Sequence, residues 1–572
     1  MADPRHPASL LRTAPISQRE VTASDGRLFA GDGQDSRAAR MFLRGVGLPD
    51  AVIRRRPVIG IATSWSELAP CNLHHRDLAA AVRRGVADAG GVAFEFPTIS
   101  LGEPFVRPSS MYLRNLMSMD VEEMIRASPI DAVVLIGGCD KTIPAQLMGA
   151  CSAGKPAVLI ASGPRREGFC LGQRRSIDDL WPILDAVRRG DLDQAAWEQV
   201  EAGLNDGPGT CNVMRTASTM AAVAECLGFS LPGSAWAPAT SGTRLELAEQ
   251  AGHQAVQYWR DGTRPRDLVT NSSVMNAYRL IAAIGGSTNA LIHLAAIAGR
   301  ADLHPKFEQV ARWLSTTPLV LNVRPAGQDP LDNAHTSGGV PRVMAQLAGV
   351  MDPDALCGSG QTWRQHGGTG TWPVATAAGA GPALAALRGS LAPGGAVIKR
   401  AGADPRLLRH TGRACVFDGP ADLIARIDDE SLGLTADSVI VLRGAGPAGG
   451  PGMPEVGHLP IPQYLQRQGV TDMLRISDAR MSGTAAGACV LHVVPEAAAG
   501  GPLALIRDGD RIEIDVPAGR IELLVTAAEL QSRSTGHSAP AGRPRRGYSY
   551  LYRRHITQAD QGCDFDFLIG AD

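Results

Sequence analysis

From residue 57 onward, short apolar runs alternate with helical stretches, and that alternation confines the chain to few architectures. Residues 58–62 (VIGIA), 131–138 (DAVVLIGG) and 156–161 (PAVLIA) have strand length and stay apolar almost throughout, as strands buried on both faces do. Residues 73–89 read as a helix closed by Gly90 and Gly91, and residues 143–150 begin a second, entered at Pro144. Repetition of this kind predicts a parallel sheet with helices on its faces. Longer helices are expected at 216–227 and 277–297. The pattern changes after about residue 380. Residues 391–396 (LAPGGA) look like a linker, and 511–516 (RIEIDV) with 520–525 (RIELLV) predict a β-hairpin. The expected fold is α/β: an irregular arm over 1–55, a domain over 56–380 with a helix-flanked parallel sheet, and a smaller β-rich, barrel-like domain over 381–572. Residues 531–546 are polar and read as a surface segment.

A chain of 572 residues needs more than one hydrophobic core. A formal net charge of −1 provides no basic field for nucleic acid. No apolar run is long enough for a membrane span, and residues 1–20 lack the apolar core of a secretory signal. The ten cysteines therefore point to a reducing cytoplasm, where each is an inert core residue or a metal ligand. Lysine occurs only at 141, 155, 306 and 399, with arginine carrying the remaining positive charge, so each lysine merits inspection.

Residues 444–449 (GAGPAG) follow a strand-like run and spell G-x-G-x-x-G. A dinucleotide site also needs a helix there, because the helix amino terminus binds the pyrophosphate. The following residues, Gly450-Pro451-Gly452-Met453-Pro454, do not propagate a helix. A glycine-rich loop that approaches a ligand is the better reading.

Cys71, Cys139 and Cys211 stand in similar contexts, each in a turn ahead of a predicted helix. The helix dipole and its free N–H groups favour thiolate, the form that ligates iron. No C-x-x-C spacing accompanies them, so burial as small hydrophobes stays open. Glu103, Asp140 and Glu455 lie in loops bounded by glycine and proline, and carboxylates there are either solvated or suited to a hard cation such as Mg2+. Ser482 sits in a small-residue turn beside Gly483.

Together, PCNLHHRDLA (70–79), GGCDKTIPA (137–145), GTCNVMRTASTMA (209–221), GGSTNALIHL (285–294), LRGAGPAGGPGMPEVG (442–457) and VTDMLRISDARMSGT (470–484) resemble the family of dihydroxy-acid, phosphogluconate and sugar-acid dehydratases. The resemblance implies an Fe–S cluster on Cys71, Cys139 and Cys211. It implies Mg2+ on Glu103, Asp140, Glu455 and a carbamylated Lys141, with Ser482 as the catalytic base. Trp65-Ser66-Glu67 and the tail from Gly547 resemble the sugar-acid branch. That branch implies a 2Fe–2S cluster in preference to 4Fe–4S, and a polyhydroxy acid converted to its 2-keto-3-deoxy acid by a homodimer or homotetramer. Dihydroxy-acid dehydratase is the alternative. A flavin or nicotinamide oxidoreductase is disfavoured by the prolines after Gly449, and a non-catalytic Fe–S protein by the accompanying carboxylates and serine.

Overall fold

The computed structural model describes residues 28–367, 381–456, 459–482, 487–534 and 545–570. The three expected strands lie at β1 (Val58–Thr63), β3 (Ala132–Gly137) and β4 (Ala157–Ala161), with β2 (Val92–Pro97) beside β1. All four are parallel, in the order β2-β1-β3-β4. β1, β3 and β4 are buried along their whole length, whereas the edge strand β2 is partly exposed from Phe94 on, which kept it from reading as a continuous buried run.

Helices His75–Asp88, Ser110–Ala127 and Cys139–Ala153 make the crossovers. The chain leaves β1 for β2 on one side and returns to β3 on the other. This reversal opens a crevice at the carboxyl ends of β1 and β3, where ligands bind in open α/β sheets. Two helical expectations need correction. The helix after β3 begins at Cys139, with Pro144 inside it, so only the backbone bond to the Asp140 carbonyl is forgone near the helix start. The helix expected over 277–297 is two, Asn271–Ala283 and Asn289–Arg300, because the chain turns at Gly285 with φ at +59°. The arm is also less irregular than expected, with helices at Gln34–Gly45 and Asp50–Ile53.

A small antiparallel sheet follows, of β5 (Arg166–Cys170), β6 (Gln173–Arg175) and β7 (Asn205–Asp206). The second large sheet has eight strands: β8 (Leu384–Leu387), β9 (Gly395–Lys399), β10 (Arg409–Asp418), β11 (Val439–Arg443), β12 (Leu474–Ser477), β13 (Cys489–Val494), β14 (Arg511–Asp515) and β15 (Arg520–Leu523). Their order is β15-β14-β10-β11-β12-β13-β9-β8, and Arg388, just past β8, pairs with Arg520 of β15, so the sheet nearly closes. The predicted hairpin is β14–β15, with Ile514 opposite Ile521. Residues 391–396 are no linker: Leu391 and Ala392 are fully buried in the turn between antiparallel β8 and β9. Alternation along the strands builds two cores. Val439, Val441, Leu474 and Ile476 join one cluster, while Ile440, Leu442 and Met473 join another with Leu423 and Leu465 of the covering helices.

β10 to β13 are mutually parallel, so the loops after β11 and β12 leave from the same end. They run together, with Glu455 bridged to Arg480. The tail returns to the first unit, where Tyr548, Tyr552 and Phe565 pack around Tyr112. Arg300 clasps Asp564 there, Nε to Oδ2 at 2.6 Å, with both side chains fully buried. Since losing Asp564 leaves buried Arg300 only the longer Glu122 contact at 3.4 Å, Asp564→Ala should cost about 3 kcal/mol, read as a lowered thermal midpoint.

Candidate metal and catalytic site

The crevice between β1 and β3 sets the first residues of the site. Cys71 lies in the turn Pro70–Asn72 after β1, and Cys139 opens the helix after β3. The two thiols are hydrogen-bonding neighbours, and that bond together with burial pushes the Cys139 thiol far above its ordinary value. Cys139 holds φ at +67°, a left-handed conformation that costs a non-glycine residue energy and that clusters at functional sites. Gly138 makes the turn possible, since a Cβ there would overlap Ser162.

Cys211 joins through arginines. Arg165 donates from Nη2 to Cys71 Sγ (3.6 Å) and to the Gly209 carbonyl (2.5 Å), two residues before Cys211. Arg215 donates from Nη1 to Cys211 Sγ at 3.4 Å. Only Cys139 stands within a helix's first turn, where the dipole acts; His75 and Thr216 begin the helices that follow Cys71 and Cys211. Those two sulfurs instead accept hydrogen bonds from arginine. Elsewhere burial raises the thiols, Cys489 to about 11 and Cys151 and Cys563 to about 12, which suits inert core residues.

Glu103, Asp140 and Glu455 bring carboxylate oxygens within 4.8 Å of one another. Glu103 sits after β2 and accepts from the Ser110 hydroxyl. Asp140 follows Cys139, and Glu455 arrives from the loop after β11. Three anions this close need opposing charge. Lys141 Nζ lies 3.0 Å from Glu103 and 3.7 Å from Asp140, and its side chain is fully buried. Arg480, equally buried, reaches Glu103 at 3.5 Å and Glu455 at 3.6 Å. Burial works to raise the Glu103 carboxyl, but Lys141, Arg480 and Ser110 outweigh it and hold it well below the usual carboxylate range. Glu455 moves the other way, raised by burial and by the Glu103 charge. With Lys141 and Arg480 beside the three carboxylates and Arg215 acting on Asp140 and Glu455, the centre is oxygen-lined and fits a hard divalent ion.

The sulfur and oxygen sets adjoin. The Glu103 N–H points to Cys139 Sγ at 3.4 Å, and Asp140 is the next residue in the chain. Ser482 is buried, and Arg215 donates to its hydroxyl while also contacting Cys211. Asn289, at the helix start created by the Gly285 turn, donates to Glu455 (3.5 Å) and to the Met481 carbonyl (3.1 Å). Gly483 and Thr484 lie outside the described residues. All eight residues singled out in the sequence thus converge where the two units meet. Arg165, Arg215, Arg480 and Asn289 were not singled out. Arginine is abundant in this chain, so it offers no contrast, although Arg480 and Arg215 stand inside two of the quoted motifs.

The glycine-rich loop after β11 is spoken for. Gly444 and Ala445 donate their N–H groups to Asp478, and Ala448 and Gly449 donate theirs to Glu496. With those donors taken and no helix following, a pyrophosphate finds no cradle.

Residues 56–366 match the amino-terminal domain, and residues 372–563 the carboxy-terminal domain, of dihydroxy-acid/6-phosphogluconate dehydratases. The chain belongs to this family. It is 46% identical over 548 residues to the L-arabonate dehydratase of Azospirillum brasilense, covering 93% of this chain and 94% of that one. It is 43% identical to the 6-deoxy-6-sulfo-D-gluconate dehydratase of Pseudomonas putida, covering 95% and 96%. A dihydroxy-acid dehydratase of Mycobacterium bovis is 37% identical, over 93% of this chain and 95% of that one.

If the carboxylate triad takes a divalent ion, Mg2+ or Mn2+ at a hundredfold excess over Kd should stabilise the protein by about 2.7 kcal/mol, visible as a raised thermal midpoint. Glu455→Gln should abolish the rise.

Proposed function

We propose that the chain removes water from a polyhydroxy (sugar) acid to give the 2-keto-3-deoxy acid. The observation that carries this reading is the junction itself, where three cysteines, three carboxylates and a buried serine converge with arginines between them. Cys71, Cys139 and Cys211 would hold an Fe–S cluster, of the 2Fe–2S type. The 2Fe–2S type is inferred from the sugar-acid features, Trp65-Ser66-Glu67 among them. Glu103, Asp140, Glu455 and a carbamylated Lys141 would hold Mg2+, whose charge would take over from the Lys141 ammonium that carbamylation removes. Bound there, the two groups supply Lewis acidity to the departing hydroxyl and to the oxygen charge that builds beside it.

The residues of the chain do the rest. Ser482, as an alkoxide favoured by the fixed Arg215 cation, takes the C2 proton and hands it to the departing 3-hydroxyl, which leaves as water and restores the alkoxide. Loss of the 3-hydroxyl leaves an enol, which tautomerises to the keto acid. Asn289 holds Glu455 and the Met481 carbonyl together, and so aligns the serine loop with the carboxylates. Burial of Lys141 and Arg480 excludes water and strengthens each of these contacts. Sugar acids are preferred as substrates because Trp65-Ser66-Glu67 precedes Cys71, Trp65 being fixed by Arg76 stacked 3.5 Å over its ring, and because the two sugar-acid dehydratases resemble the chain more than the dihydroxy-acid enzyme does.

The assembly is proposed to be a homodimer or homotetramer working in the cytoplasm, where ten free cysteines persist. Among the described residues no helix is long and apolar enough to cross a membrane. The division into an arm over 1–55, an α/β domain over 56–380 and a β-rich domain over 381–572 is kept as the working organisation.

A panel of C5 and C6 aldonates beside 2,3-dihydroxyisovalerate, assayed for 2-keto acid, tests the substrate. Turnover of aldonates is expected, and turnover of the dihydroxyisovalerate alone would overturn the sugar-acid reading. Cys139→Ser should lose visible cluster absorbance and activity together. Ser482→Ala should keep the absorbance and lose at least about 10²-fold in kcat.

A further inference from the structure

A serine hydroxyl is a poor base unless positive charge favours its alkoxide, and Arg215 is only one such charge. A cavity of about 20 Å3, room for about one water, opens beside Ser482. Among the described residues its walls include Ser287, Thr288, Lys399, Ser482, Cys489 and Leu491. Lys399 ends β9, and its Nζ is buried with no hydrogen-bond partner among the described residues. A lone buried ammonium is costly, and a fold keeps one only where something compensates.

We propose that Lys399 is a positioning residue for Ser482: across the cavity, its ammonium supplies the second positive charge that stabilises the serine as alkoxide. This rests on the reading of Ser482 as the base. Burial alone pushes Lys399 down to about 8, consistent with a cation held short of a partner until the Ser482 hydroxyl loses its proton to solvent. The alkoxide is that partner. Arg215 binds the oxygen directly from the cysteine side, and Lys399 lines the same cavity from β9.

Lys399→Met removes the charge and keeps the volume. It should lower kcat about 10²-fold with KM nearly unchanged, and raise the thermal midpoint by about 2 °C or more, because an unpaired buried charge has gone. Lys399→Gln should lower kcat to the same extent, which guards against a packing artefact in the methionine variant. In the Ser482→Ala background, Lys399→Met should leave the residual rate where it was. Normal kcat in Lys399→Met, a rise in KM at constant kcat, a lowered midpoint, or further loss in the serine background would each overturn the proposal. Slow Ser482→Ala with fast Lys399→Met removes only the lysine role. Fast Ser482→Ala removes the base assignment, and the lysine role with it.

Discussion

Like charges crowded into a buried junction are the constraint around which this structure is organised. Carboxylates of Glu103, Asp140 and Glu455 within 4.8 Å of one another repel strongly where water is excluded. They are tolerable because Lys141 and Arg480 are buried among them, and the split between a depressed Glu103 and a raised Glu455 records how that compensation is shared. Arg480 touches a carboxylate from each unit, so it ties the α/β part to the barrel as well as balancing charge. Its Nε also donates to the Met453 carbonyl and its Nη2 to Ser109.

Two topological features bring those charges together. In the first unit the strand order reverses between β1 and β3, so the chain segments leaving both strands share one crevice and carry Cys71, Cys139 and Asp140 into it. In the second, parallel β11 and β12 send their following loops out side by side, carrying Glu455 and Ser482. Facing the two carboxyl edges toward each other closes the site, and the returning tail, pinned by the Arg300–Asp564 pair, braces the helix Ser110–Ala127 behind it. Rigid scaffolds with functional loops at one edge are a common arrangement. Here two unrelated sheets supply one edge each.

Much of the fold was legible locally. β1, β3, β4 and the β14–β15 hairpin follow from apolar runs and period-2 alternation, which depend on nearest neighbours in the chain. Errors fell where a longer-range partner decides. β2 is an edge strand whose exposed alternate residues masked it. The 391–396 turn looked like a linker because its glycines and proline are those of any loop, yet Leu391 and Ala392 are buried by neighbouring strands. Pro144 suggested a helix start, but the helix begins at Cys139, where Gly138 can approach Ser162 closely.

For the site, the sequence alone determined which side chains have the right chemistry: thiols at 71, 139 and 211, carboxylates at 103, 140 and 455, an amine at 141 and a hydroxyl at 482, all in segments resembling one family. It also disfavoured the dinucleotide reading of residues 444–449, since the prolines after Gly449 do not propagate a helix. Only the tertiary structure decided that those groups meet, and which cations steady them. Arg215 and Arg480 stand in quoted motifs and Lys399 is one of four lysines, yet nothing local tells any of them, or Arg165, which anion it will face. An arginine's role depends on which anion it faces, and that is fixed by strand order and by the packing of one sheet against the other, over separations of hundreds of residues along the chain.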